Sequence, residues 1–190
     1  MTPIQPPASV STWYGEISAE LFQQLQQIKL LICDVDGVFS DGRIYLAEHG
    51  DEIKAFHTRD GFGVKALLQQ GIQVAVITGR RSQIVERRMR QLGLTDIIQG
   101  CEDKLSAYHE LLEKYQLSDA QTACIGDDIP DLGMIQQAHL GVAVFDAHPY
   151  LQQQAQYVTT KPGGFGAVRE LSDLILLAQG KLVMSGGVSL

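Results

Sequence analysis

The chain has 190 residues, a formal net charge of −7 at pH 7, and 45% hydrophobic against 19% charged residues. These values are typical of one globular domain and argue against a nucleic-acid partner, whose backbone binds clustered Lys and Arg. The sequence contains no recognisable signal peptide and no apolar run near the roughly 20 residues that span a bilayer. We therefore expect a cytoplasmic protein that binds neither nucleic acid nor membrane.

Short apolar runs alternate with amphipathic segments along most of the chain. After a Pro-rich, polar arm over residues 1–17, a helix is predicted to begin at Ser18. The strands are predicted at 30–33, 72–77, 96–99, 122–125 and 140–145, and further helices at 63–70, 82–92, 104–116 and 130–137. Alternating strands and helices indicate an α/β fold with a doubly wound, Rossmann-like parallel sheet.

Two segments depart from this alternation within the single domain predicted over residues 18–180. Residues 43–57 are predicted to form a β-hairpin that turns at residues 49–51. Residues 161–170, KPGGFGAVRE, are predicted to be a Gly-rich tail loop, and residues 181–190 to be disordered.

Acidic residues follow two of the predicted strands. Asp34 and Asp36 come after LLIC, whereas Asp127, Asp128 and Asp131 come after TACI. Ligands of doubly wound sheets bind at the carboxyl ends of strands, so these clusters are expected to face one site. Close carboxylates repel one another unless a cation lies between them, and Mg²⁺ prefers such oxygen ligands. The pattern predicts a Mg²⁺ site, although turn formation and helix capping also use Asp.

Two further polar residues occupy comparable positions. Thr78 and Arg80 follow the strand IQVAVI, where a hydroxyl and backbone N–H groups at a helix start can hold phosphate. Lys104 begins a predicted helix. Taken alone, Arg80 is equally consistent with a solvated arginine in a loop. A lone Lys such as Lys104 is normally a solvated surface charge, and only its order among the four motifs indicates a function.

That order resembles the four motifs of the haloacid dehalogenase-like phosphatase superfamily: DVDGV, a strand-end Thr, a Lys, then GDDIPD. The resemblance implies that Asp34 attacks phosphorus and that Asp36 acts as general acid and base. It also implies that Thr78 and Lys104 hold the phosphoryl group. A carboxylate nucleophile divides hydrolysis into two easier steps.

The same resemblance implies how the metal is held. Asp34, Asp127 and the backbone carbonyl of Asp36 would bind Mg²⁺, with Asp128 and Asp131 supporting the site. The spacing from Asp34 to Thr78 and from Thr78 to Lys104 leaves no room for an inserted cap domain, so a capless member is expected.

Longer stretches, including LLICDVDGVFSDGRIYL, KAFHTRDGFGVKAL and GGFGAVRELSDLILLAQGKL, are similar to the 3-deoxy-D-manno-octulosonate 8-phosphate (KDO 8-phosphate) phosphatase family. This resemblance implies a homotetramer acting in lipopolysaccharide precursor biosynthesis, with the Gly-rich tail of one subunit reaching a neighbour's site. The implied substrate-binding residues, beside Asp36 and Lys104, are His57, Thr58, Arg59, Asp60, Gly61, Lys65, Arg80 and Arg88. Lys65 stands where that family usually has Arg, and Lys lacks the bidentate fork of a guanidinium group.

Three alternatives remain open from sequence. Another sugar-acid phosphate, such as a nine-carbon keto acid phosphate, carries the same carboxylate and phosphate. A phospho-accepting receiver domain also combines Asp, Thr and Lys on a doubly wound sheet, but its Lys comes last, whereas Lys104 precedes Asp127 and Asp128. A catalytically inactive scaffold of the same fold is disfavoured by the complete set of acids.

Overall fold

The computed structural model describes residues 9–48 and 52–182. The predicted hairpin turn at 49–51, the first part of the predicted arm and residues 183–190 of the predicted tail lie outside the described residues. The strands are β1 (Ser9–Thr12), β2 (Gly15–Ser18), β3 (Leu30–Cys33), β4 (Tyr45–Leu46), β5 (Glu52–Ile53), β6 (Gln73–Thr78), β7 (Asp96–Gln99), β8 (Thr122–Gly126), β9 (Leu140–Ala143) and β10 (Tyr157–Val158). The α-helices are α1 (Ala19–Gln27), α2 (Thr58–Gln69), α3 (Gln83–Leu92), α4 (Lys104–Tyr115), α5 (Leu132–Gln137), α6 (Pro149–Gln154) and α7 (Ala167–Ala178).

A six-stranded parallel sheet forms the centre of the molecule, in the order β10-β9-β8-β3-β6-β7. Strand β3 is buried along its whole length, and its last residue, Cys33, pairs with Val76 of β6 and Ile125 of β8. The carboxyl ends of β6, β3 and β8 therefore lie side by side at one edge. The predicted α/β fold class is confirmed, and so is the β-hairpin insertion, seen as β4 paired with β5.

Helices pack on the sheet through the apolar sides of their sequences. Helix α7 contacts both α1 and α2, whereas α4 and α5 contact each other and the strands β6, β8 and β9. Nearly all of α7 is buried, as expected from its strongly apolar sequence. Within the described part of the chain, no helix has both the length and the apolar character needed to cross a bilayer.

Two local predictions differ from the structure near the N-terminus. Residues 9–17, assigned to a polar arm, fold into the antiparallel pair β1–β2, whose Ile17 is buried. Helix α2 begins at Thr58, five residues before the start of the helix predicted at 63–70. That helix begins early because the Nδ1 of His57 accepts a hydrogen bond from the backbone N–H of Arg59, at 3.1 Å, which caps the helix.

The Gly-rich segment 161–166 packs against its own chain. Gly164 donates its backbone N–H to the carbonyl of Val38 at 2.8 Å, and Gly163 donates to a carboxylate oxygen of Asp146 at 2.8 Å. Residues 167–170 are already part of α7, with Glu170 fully buried. These contacts hold residues 161–166 on their own subunit. The expectation that the Gly-rich tail also reaches a neighbour's site stays a prediction.

Candidate active site

A cavity of about 440 Å³ opens at the carboxyl ends of β6, β3 and β8. It collects the residues singled out from all four sequence motifs. Its lining consists of Asp34, Asp36, Thr78, Gly79, Arg80, Cys101, Glu102, Lys104, Asp127, Asp128, Pro130 and Asp131. The parallel topology explains this convergence, because each motif follows a strand or begins a helix at the same edge.

Asp34 lies at the bottom of the cavity, directly after β3, with only 5% of the residue exposed. Its backbone N–H donates to the carbonyl of Ile125 at 3.0 Å, which continues the β3–β8 ladder and fixes the side chain's direction. Burial, reinforced by the nearby charge of Asp131, raises the pKa of Asp34 to about 8 despite the opposing effect of Lys104. A carboxyl group whose pKa is raised by burial and that has a specific charged partner in a cavity is a candidate for a functional residue or a cation ligand.

Lys104 connects the two acidic clusters. As the first residue of α4, it directs its ammonium to within 2.6 Å of Oδ1 of Asp34 and 2.6 Å of Oδ1 of Asp131. Burial alone would lower the pKa of Lys104, but these two carboxylates outweigh it and raise that pKa. The lysine is therefore a fixed positive charge beside the predicted nucleophile, rather than the solvated surface residue that its sequence context alone would suggest.

Asp131 has both carboxylate oxygens engaged by the protein. Beyond Lys104, its Oδ2 accepts hydrogen bonds from the backbone N–H groups of Asp127 at 3.0 Å and Asp128 at 3.4 Å. The residue thus shapes the loop after β8 and orients Lys104, which agrees with its predicted supporting role.

The carboxylates of Asp34, Asp127 and Asp131 each place one oxygen within 4.8 Å of the others. Burial, together with the charges of Asp131 and Asp128, raises the pKa of Asp127 to about 7. A divalent cation would relieve this repulsion, and an all-oxygen donor set suits Mg²⁺. The residues present therefore fit the predicted metal, although the side chain of Asp36 does not belong to this group of three.

The side chain of Asp36 points instead toward cations. Its Oδ1 accepts a hydrogen bond from the ammonium of Lys54 and lies 3.5 Å from the hydroxyl of Ser40, while Oδ2 lies 3.8 Å from Nε of Arg80. Lys54 has only 1% of its side chain exposed. Sequence reasoning missed Lys54, since its contact with Asp36 depends on how the hairpin folds over the cavity.

Thr78 and Arg80 line another part of the cavity. Thr78 ends β6 with 2% of the residue exposed, and its hydroxyl lies 3.4 Å from the backbone N of Arg80 as a hydrogen-bond acceptor. The guanidinium group of Arg80 is partly exposed and donates to Glu52 at 2.9 Å. The Thr78 hydroxyl and the Lys104 ammonium thus line the same cavity as Asp34, where they can stabilise charge on a phosphoryl group.

The remaining predicted substrate-binding residues do not line this cavity within the described part of one chain. Thr58 and Arg59 are exposed on the first turn of α2, next to the capping His57. Asp60 is buried and accepts a hydrogen bond from the backbone N–H of Arg169 at 2.8 Å, and burial raises the pKa of Asp60 to about 6.

Three other members of that predicted set lie deeper along the same helix or on α3. Gly61 packs so closely on Arg88 that an added Cβ would lie 2.6 Å from its guanidinium nitrogen. Lys65 is half-buried on α2. The role of these residues in substrate binding stays a prediction.

A buried aspartate at the end of the central strand, a lysine beside it and a second acidic cluster on the next strand define a hydrolase of the haloacid dehalogenase-like class. Comparison with known proteins agrees, since the profile of the haloacid dehalogenase-like hydrolases matches residues 89–169. The 3-deoxy-D-manno-octulosonate 8-phosphate phosphatase KdsC of Yersinia pestis is 51% identical over 183 residues, covering 96% of this chain and 98% of that protein. The protein of the same name from Escherichia coli strain K12 is 49% identical over 96% of this chain and 97% of its own length.

Solved structures give the same assignment. The crystal structure of the Yersinia pestis phosphatase matches with a TM-score of 0.94, covering 97% of this chain and 100% of that chain at 51% identity. The phosphatase of Moraxella catarrhalis, solved in complex with magnesium ion, phosphate ion and KDO, matches with a TM-score of 0.83 at 46% identity, covering 85% and 92%. This chain belongs to the 3-deoxy-D-manno-octulosonate 8-phosphate phosphatase family of the haloacid dehalogenase-like hydrolases.

Proposed function

We propose that this protein hydrolyses KDO 8-phosphate to KDO and inorganic phosphate with the help of Mg²⁺, in lipopolysaccharide precursor biosynthesis. The observation that carries the proposal is the position of the buried Asp34. Its Oδ1 lies 2.6 Å from Nζ of Lys104, and its carboxylate belongs to a cluster of three. Relatives of about 50% identity along almost the whole chain bear the name of this activity. Family membership and site chemistry therefore support the same reaction.

The first chemical step transfers the phosphoryl group to the protein. A carboxylate oxygen of Asp34 forms a bond to phosphorus, and the bond from phosphorus to the sugar oxygen breaks. Asp36 donates its proton to that departing oxygen, while Lys104 and the hydroxyl of Thr78 stabilise charge on the phosphoryl oxygens.

The second step regenerates Asp34. Asp36, now a carboxylate, accepts a proton from water, whose oxygen attacks phosphorus, and the bond from phosphorus to Asp34 breaks as phosphate leaves. Asp34, Asp127 and the Asp36 carbonyl would hold Mg²⁺, which when bound would neutralise charge on the substrate and on the nucleophile. Asp128 and Asp131 keep the metal-binding loop in place.

Substrate recognition and assembly complete the proposal. Arg80 is the partly exposed cation in the cavity, and it suits the substrate's carboxylate. We assign the contacts of residues 57–61, Lys65 and Arg88 to a site completed between subunits of a homotetramer. The hairpin supports assembly, because Leu46 and Ile53 are 72% and 58% exposed. The cytoplasmic location stays a prediction.

The proposal is tested by measuring phosphate release from a panel of sugar phosphates with Mg²⁺ and with EDTA. We expect KDO 8-phosphate to give the highest kcat/KM, and Asp34→Asn to abolish turnover while the circular dichroism spectrum is unchanged. A higher kcat/KM for a nine-carbon keto acid phosphate would identify the alternative substrate. Stable autophosphorylation by acetyl phosphate without turnover would instead indicate a receiver-like function.

A further inference from the structure

Lys54 is a buried cation that the proposed reaction leaves unexplained. It follows β5 of the hairpin, and 1% of its side chain is exposed. Its ammonium donates to Oδ1 of Asp36 and lies 3.4 Å from Glu52. Burying an ammonium is costly unless it is paired, so the pairing with Asp36 is a specific feature of the fold.

The pairing acts on one of the two oxygens of Asp36. Lys54 binds Oδ1, whereas Oδ2 lies 3.8 Å from Nε of Arg80, which lines the cavity together with Asp36. An Asp side chain has two rotatable bonds, and a strong contact at one oxygen restricts where the other can point. Lys54 therefore limits the orientations available to the Asp36 carboxyl group.

We propose that Lys54 is a positioning residue that holds the general acid and base, Asp36, toward the leaving oxygen of the substrate. The inference rests on the proposed function, in which Asp36 exchanges protons with the leaving group and with water. Proton transfer in a transition state depends on hydrogen-bond geometry, and a misplaced group loses much of its effect. Lys54 is not among the residues that line the cavity, and it acts through its contact with Asp36.

Glu52 extends the arrangement to the substrate-binding side. It accepts from Arg80 at 2.9 Å and lies 3.4 Å from Lys54, so one carboxylate contacts both cations that flank Asp36. The hairpin thus contributes Glu52 and Lys54 to a network of ion pairs with Asp36, which follows the central strand β3. Through this network the hairpin would support catalysis in its own subunit.

The test exploits the leaving group. Alkoxide departure from a sugar phosphate needs a proton, whereas nitrophenolate departs without one, so misplacing the acid should harm only the former. For Lys54→Met we expect kcat/KM with KDO 8-phosphate to fall on the order of 100-fold, within the range of general acid catalysis, and kcat/KM with p-nitrophenyl phosphate to change less than about threefold. Because water activation also uses Asp36, nitrophenol should appear as a stoichiometric burst followed by slow turnover.

Controls separate positioning from folding and from the proposed function itself. Lys114→Met removes a lysine that pairs with Asp96 outside the cavity, and it should leave both substrates unaffected. Asp36→Asn should show the same leaving-group selectivity as Lys54→Met, and the double variant should be no slower than Asp36→Asn alone. Lys54→Arg should recover part of the lost rate.

Two outcomes would overturn the inference for different reasons. If Asp36→Asn discriminates between the two substrates but Lys54→Met slows both by one common factor, Lys54 is merely structural and the inference is overturned. If Asp36→Asn itself shows no discrimination, the assignment of Asp36 as general acid fails, and the inference about Lys54 fails with it. Should Lys54→Met not fold, the same comparison with Lys54→Arg decides, since altered geometry at Asp36 must still produce selectivity.

Discussion

Gly37 lies against Asp127 so closely that a Cβ added to the glycine would be 2.0 Å from Oδ2 of the aspartate. The glycine also has φ +96°, a conformation that side chains disfavour. The loop after β3 therefore closes directly over a predicted Mg²⁺ ligand. On its other side, the carbonyl oxygen of Gly37 lies 1.6 Å from where a Cβ on Gly163 would be. Three residues distant in sequence form one continuous stack.

Gly163→Ala should weaken Mg²⁺ binding at Asp127, although the added methyl group would contact Gly37 and not the aspartate. The added methyl group must displace the Gly37 carbonyl, which in turn moves the loop that lies on Asp127. We expect destabilisation of about 1–3 kcal/mol, typical of overpacking, and at least a tenfold weaker apparent affinity for Mg²⁺. Denaturant unfolding and Mg²⁺ titration of activity measure the two effects.

The matched control is Gly133→Ala. Gly133 lies in α5, and the nearest neighbour of its added Cβ would be Leu105, at an ordinary 3.5 Å. Its Mg²⁺ affinity should stay at the wild-type value. Equal Mg²⁺ affinities of Gly163→Ala and wild type would show that displacing the Gly37 carbonyl does not disturb Asp127.

The sequence predicted the parts of the site that topology determines. Asp34, Thr78 and Asp127 each lie at the carboxyl end of a strand, and a parallel sheet brings strand ends together whatever the details of packing. The role of Lys54 could not be predicted in this way, because its contact with Asp36 depends on how a short hairpin folds across the cavity. The position of Gly163 against Gly37 likewise depends on a steric fit between two loops, of which the sequence carries no periodic signal.

Mg²⁺ should stabilise the fold more at pH 8 than at pH 6. The ordinary Asp pKa is 3.8, whereas that of Asp34 is raised by burial to about 8 and that of Asp127 to about 7. The metal-free fold therefore holds protons that the unfolded chain has released, and its free energy of unfolding falls as pH rises from about 4 to about 8. Mg²⁺ must displace these protons, so its apparent affinity should rise at least tenfold between pH 6 and pH 8.

Thermal unfolding at several Mg²⁺ concentrations, each compared with EDTA at the same pH, measures this effect. Asp131→Asn provides the comparison, because Asp131 is among the charges that raise both pKa values. In that variant the pH dependence of Mg²⁺ stabilisation should be weaker. An increment in Tm that is the same at pH 6 and pH 8 would contradict the prediction.

The exposed apolar residues of the hairpin allow the proposed assembly to be tested with a single charged substitution. Leu46 is 72% exposed and Ile53 is 58% exposed, although both are large and apolar. Leu46→Glu should place a charge in the proposed subunit interface, where a buried unpaired charge is costly. Sedimentation velocity should then show a species smaller than the wild-type oligomer, with a higher KM for KDO 8-phosphate. Trp13→Glu, at another exposed apolar residue, should leave the oligomer intact, and a monomeric wild type with full activity would refute the proposed tetramer.

Glu170 is fully buried, and its two oxygens accept four hydrogen bonds at the start of α7. The donors are the hydroxyl of Tyr157 at 2.6 Å, the backbone N–H and hydroxyl of Thr160 at 2.8 and 2.7 Å, and the backbone N–H of Lys161 at 3.1 Å. Glu170→Gln replaces one acceptor oxygen with an NH₂ group that faces donors, so about 2–4 kcal/mol of stability should be lost. Glu113→Gln, on the exposed side of α4, should change stability by less than about 0.5 kcal/mol.

Glu170→Gln should also weaken Mg²⁺ binding, because Lys161 begins the segment that supports Gly37. If the variant is destabilised but binds Mg²⁺ with wild-type affinity, Glu170 contributes to folding and not to the metal site.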